Sequence, residues 1–181
     1  MTTDSRATDH SATRNPSPDP LAALPDDARL WVFGTDRILE SSEEDHLLGA
    51  VDRFLEAWRA HGKDLAAARD WREGRFLFVA VDESVAPPTG CSIDALRRLL
   101  QDVERELGVE MVGGGPIWYR DPETDGEVRR VSRPLFREAG AAGRITGDTV
   151  VFDLALVRLG ELREGRWERR AAEGWHARLL P

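Results

Sequence analysis

The strongest constraint on this chain is one run, Arg75-Phe76-Leu77-Phe78-Val79-Ala80-Val81. Successive side chains on a strand point to opposite faces, so a half-exposed strand alternates apolar and polar residues. This run is apolar on both faces and therefore belongs inside a sheet.

The flanking sequence supplies the other pieces. Arg29-Leu30-Trp31-Val32-Phe33 is a short apolar strand stopped by Gly34. Ser42 then caps a helix, with Asp45 at its third position in a near capping-box arrangement. Leu47, Val51, Phe54 and Trp58 recur at three- and four-residue steps, and Gly62 is expected to end that helix. Leu65 to Asp70 is a weaker, more polar strand. Beyond the loop Asp82 to Gly90, Ile93, Leu96, Leu100, Val103 and Leu107 mark a second amphipathic helix ending at Gly108. Val109 to Val112 is a fourth strand, with Ile117-Trp118-Tyr119 continuing it past the glycines at 113–115. The order β-α-β-β-α-β predicts an α+β fold with a ferredoxin-like core over residues 26–115. In that pattern strands one and three are central, and here they are the two most apolar.

Residues 116–181 form a smaller C-terminal α/β appendage. Glu127 to Val131 is a strand, and Ser132 caps a short helix with Pro134 near its start. Leu135, Phe136 and Ala139 are expected to face inward, Gly143 closes the helix, and Thr149 to Phe152 is another strand. At the other end, residues 1–25 hold almost no large apolar side chain, which predicts a disordered tail.

Composition narrows the functional classes. A net charge of −8 opposes a phosphate-backbone partner, so no nucleic acid is expected. With a single cysteine, Cys91, no intrachain disulfide framework is possible, and the four histidines lack metal-ligand spacing. Neither a metal nor a cofactor is expected. The opening MTTDSRATDHSATRNPSPDP lacks the basic and apolar regions of a signal peptide, and no apolar run has membrane length. Cytoplasmic location without membrane association is the resulting expectation.

Two stretches resemble an uncharacterised group of small bacterial proteins. They are Val79-Ala80-Val81-Asp82-Glu83 with Gly90-Cys91-Ser92-Ile93-Asp94, and Arg166-Trp167-Glu168 with Trp175-His176-Ala177-Arg178-Leu179. Some of that group carry the label "ABC transporter ATPase". The P-loop G-x-x-x-x-G-K-[ST] is missing, and the only lysine, Lys63, follows a single glycine. Nucleotide hydrolysis of that kind is therefore not expected. Separately, Trp118-Tyr119, Ser132 to Gly143 and Gly143-Arg144-Ile145-Thr146-Gly147-Asp148-Thr149-Val150-Val151 resemble a bacterial GYF-like module. That resemblance implies a small unit that binds peptides, although the Gly-Tyr-Phe element itself is missing.

Two sets of residues are candidates for function. Cys91 opens the second helix, where free amides and the helix dipole favour a thiolate, so it is the candidate catalytic residue of a thiol-dependent enzyme or redox protein. The alternative is a small core side chain. Trp118, Tyr119, Trp167, Trp175 and His176 gather in the last third of the chain. They either present an aromatic binding face to a protein or peptide, or bury the appendage against the main domain. The leading expectation is a non-enzymatic binding protein.

Overall fold

A computed structural model describes residues 19–60, 62–84, 87–112 and 115–181. The chain is an α+β protein built on antiparallel sheets. Its first part runs β1 (Arg29–Thr35), α1 (Ser41–Glu56), β2 (Arg59–Ala60), β3 (Lys63–Asp64), β4 (Ala67–Arg72), β5 (Phe76–Val81), α2 (Gly90–Leu107) and β6 (Met111–Val112). The second part runs β7 (Ile117–Arg120), β8 (Val128–Val131), α3 (Arg133–Ala141), β9 (Val150–Phe152), α4 (Leu159–Arg163) and β10 (Glu168–Arg170). Two 3-10 turns, Ala171–Glu173 and Trp175–Leu179, end the chain.

One sheet has the order β4-β5-β1-β6 and another the order β10-β9-β7-β8, with every neighbour antiparallel. All six residues of β5 are buried, because each of its faces is covered. Leu77, Val79 and Val81 pack under α1 and α2, against Leu47, Val51, Leu96 and Val103. Phe76, Phe78 and Ala80 pack against the second sheet, where they meet Trp118, Phe152 and Trp167. That sheet also alternates. Trp118 and Phe152 face the first sheet, whereas Ile117, Tyr119 and Val151 face Phe136 of α3 and Ala171. The layers run helix pair, sheet, sheet, then α3 with the C-terminal turns. Edge strands carry arginines, Arg69 and Arg72 on β4, Arg129 and Arg130 on β8, Arg169 and Arg170 on β10, which discourages edge-to-edge pairing.

Several local expectations change. Gly34 does not stop β1; a Cβ there would lie 2.9 Å from Trp118 Cζ2, so the glycine makes room for the indole that joins the sheets. Helix α1 is capped by Glu40, whose N–H donates to Glu43 Oε2 at 2.9 Å, and not by Ser42. It ends before Trp58. Gly62 sits at φ 76° between β2 and β3, a tight reversal that suits glycine. Leu135 points outward, 53% exposed. Residues 1–18 of the expected tail lie outside the described residues, but Leu21 and Leu24 are buried in the core between the sheets. Arg163 Nη2 holds the carbonyls of both, each at 3.0 Å. Order therefore begins earlier than the sparse leucines suggest.

Candidate functional site

Trp118 and Trp167 are buried between the sheets and join through Phe76, whose ring lies 6.0 Å from Trp118 and 5.3 Å from Trp167. Tyr119 is buried on the opposite side of the second sheet, edge-on to Phe136 at 6.1 Å. Trp175 and His176 lie on that side too, so the second sheet divides the five residues into two groups. Only Trp175 is half-exposed, with Arg133 over its ring at 4.9 Å. These five residues therefore present no open aromatic face. The burial of Trp118 and Trp167 ties the C-terminal third to the first sheet, whereas Tyr119, Trp175 and His176 pack within the C-terminal third itself.

His176 is fully buried, and neither ring nitrogen has a hydrogen-bond partner among the described residues. Its pKa is pushed down to about 4, first by burial and then by the Arg169 and Arg133 charges, with Asp153 opposing. Asp153 is itself buried and accepts from Arg169, from Trp175 Nε1 at 3.0 Å and from Ala155 N–H at 3.0 Å. This cluster has the form of a structural clasp.

Cys91 is exposed in the first turn of α2. Thr89 caps the helix, its Oγ1 accepting from Ser92 N–H at 3.2 Å. The thiol borders an open hollow of about 360 Å³ shared with Phe54, Trp58, Arg59 and Ala95. Trp58 is fixed there by its Nε1–H, which donates to Ser92 O at 3.1 Å. Cys91 is thus not a core side chain.

A smaller, more enclosed pocket of about 210 Å³ lies beside β1. Thr35 N–H donates to Arg75 O at 2.9 Å, so the odd residues of β1 bond towards β5 and the even ones face the other edge. There, among the described residues, β6 pairs with Gly34 and Thr35, and Leu30 N–H donates to Val157 O at 2.9 Å. Val32 lines the pocket between these contacts. Ile93 and Leu96 of α2 form one wall, and Leu154 to Val157 the other. Arg29 and Arg97 line the pocket, and Val157 is 59% exposed.

A third hollow, of about 450 Å³, opens between the β4–β5 turn and the β7–β8 hairpin. Arg75 lines it, with its side chain almost wholly buried. Neither Arg75 nor the β1 pocket stood out as a site in the sequence. The available signal was a lone charge heading an all-apolar run.

Among the described residues, no group of three or more His, Cys, Asp or Glu side chains is placed to hold a metal ion, and no helix is long and apolar enough to cross a membrane. Compared with family models, curated proteins and solved structures, the chain matches none of them.

Proposed function

We propose that this is a non-enzymatic binding protein that takes one apolar side chain of a partner protein or peptide into the pocket beside β1. The observation that carries the reading is a partly enclosed, mainly apolar pocket beside β1, walled by Ile93 and Leu96 on one side and by Leu154 to Val157 on the other. Its volume is below the roughly 300 Å³ at which small-molecule sites begin, and suits a single anchoring residue. Arg97 makes no ion pair among the described residues, and Arg29 is shared only with Glu83 at 3.5 Å. Acidic residues flanking the anchor would complement both. The strand order β4-β5-β1-β6 supports a ferredoxin-like reading of the first sheet. The succession of an aromatic strand, a short helix and a further strand supports a GYF-like reading of the appendage.

The test is an amide-resolved NMR titration with capped Asp-Phe-Asp and Asp-Ala-Asp peptides. The first should shift the Val32 amide saturably and the second should not. Val157→Asp, at an exposed rim position, should abolish the shift. Equal response to both peptides would remove the pocket from consideration.

A second reading, a thiol-dependent protein, is favoured by the exposure of Cys91 within a hollow that also holds Arg59. The thiol makes no hydrogen bond to an acid or base among the described residues, and the reading stands second for that reason.

A further inference from the structure

Buried charges are ordinarily paired, because an ion removed from water must recover its solvation from a counter-ion or from hydrogen bonds. Arg75 departs from that rule. Its side chain is 7% exposed, yet it forms no salt bridge with any described residue. Nη1 donates to Val128 O at 3.0 Å, Nε is buried without a partner, and Nη2 makes no hydrogen bond among the described residues. Burial lowers its pKa, with Glu127 and Glu73 opposing only in part.

The hollow in front of Arg75 has charges of both signs. Arg120 is already engaged by Glu73 at 3.0 Å and by Glu168. Asp125 and Glu127 stand on the hairpin opposite, and neither forms a hydrogen bond or salt bridge with Arg75. The five ionic groups lining the hollow, Glu73, Arg75, Arg120, Asp125 and Glu127, leave one net negative charge. A simple anion would meet Arg75 but be repelled by the rim, and a simple cation would meet the rim but be repelled by Arg75. A small molecule with a carboxylate at one end and an ammonium at the other satisfies both. Glu73 itself holds φ 56°, a backbone conformation that non-glycine residues adopt at a cost, and this sets the turn that presents Arg75.

We infer that the hollow between the β4–β5 turn and the β7–β8 hairpin binds a small zwitterion of the free amino-acid class. Arg75 receives the carboxylate through Nη2, with Nε completing a side-on pair as the guanidinium turns into the hollow. Asp125 and Glu127 receive the ammonium. The site is separate from the β1 pocket and does not depend on it.

The test is an NMR titration that follows the Arg75 Nε–H and Gly126 amide signals, with L-alanine, acetate and methylammonium as probes. L-Alanine should shift both signals saturably, at least tenfold more tightly than acetate or methylammonium. Arg75→Lys keeps the charge but loses the planar fork, and should weaken L-alanine binding at least tenfold. Should that variant fail to fold, the exposed pair Asp125→Asn and Glu127→Gln removes the ammonium side without touching the core. It should bring L-alanine down to the affinity of acetate. A non-saturable response to L-alanine, equal binding of acetate and L-alanine, or unchanged binding in the double variant would each overturn the inference.

Discussion

His176 lies flat on Trp175, with ring centroids 3.9 Å apart and planes inclined by 26°, and it is sealed from solvent in the C-terminal turn. Trp175 is in turn tied to Asp153, and Asp153 to Arg169. A neutral imidazole is what this arrangement accepts, because burial strips a charged ring of its solvent, and the Arg169 and Arg133 charges add to this against the opposing Asp153.

The pH dependence of stability follows. His176 titrates near 6.5 when unfolded and at about 4 when folded. Above pH 6.5 both states are neutral and the stability is fully present. As pH falls from 6.5 towards 4 the unfolded state gains a proton that the folded state refuses, and stability is lost. The total loss is about 3 kcal/mol. Urea titrations at pH 7.5 and 5 should show about 2 kcal/mol of it, the rest being lost as pH falls to 4 and below, and His176→Phe should flatten the slope over that interval. An unchanged slope in the variant would show that other groups carry the dependence.

The segment before β1 should be part of the cooperative fold. Leu21→Ala removes a fully buried side chain from the core between the sheets and should cost about 2–5 kcal/mol. Arg163→Met should also destabilise, because it strips the carbonyls of Leu21 and Leu24 of their shared donor. Thermal unfolding of a chain beginning at residue 26 should show a clear fall in midpoint. An unchanged midpoint would mean that the segment docks without contributing.

The two C-terminal tryptophans should differ sharply. Trp167 sits among Phe76, Phe78 and Phe152 at 5.0 to 5.3 Å, so Trp167→Ala should cost about 3–5 kcal/mol. Trp175 is half-exposed, so Trp175→Ala should cost distinctly less. Iodide should quench Trp175 fluorescence and leave Trp118 and Trp167 untouched. Equal quenching of all three would contradict the burial of the sheet interface.

Cys91 should react with a small alkylating reagent in the folded state, at a rate independent of added denaturant below the unfolding transition. Cys91→Ser should leave the midpoint nearly unchanged, since the side chain is exposed. The thiol-dependent reading further requires a rate at pH 6 well above that of a free thiol. A rate equal to the free thiol's would leave Cys91 as a surface residue.

Local pattern alone determined much of the framework. The all-apolar run 76–81 could only be a covered strand, and Leu96, Leu100 and Val103 could only face inward from a helix that Gly108 ends at φ 62°. Ser132 caps α3 as its sequence implies, through Leu135 N–H at 3.4 Å. These features follow from backbone periods of 2 and 3.6 residues and from capping chemistry, which act over a few residues. Tertiary structure decided what covers β5 on its second face, and with it the fate of the aromatic residues. Trp118 and Tyr119 are adjacent in sequence, yet strand alternation sends one to Phe76 and the other to Phe136 across the second sheet. It also decided that Leu21 and Leu24 dock, because their site is built by Arg163 and the two sheets far along the chain. The setting of Arg75 has the same origin. Among the described residues the hydrogen-bond partner of its guanidinium is the carbonyl of Val128, 53 positions away, and no local period carries that distance.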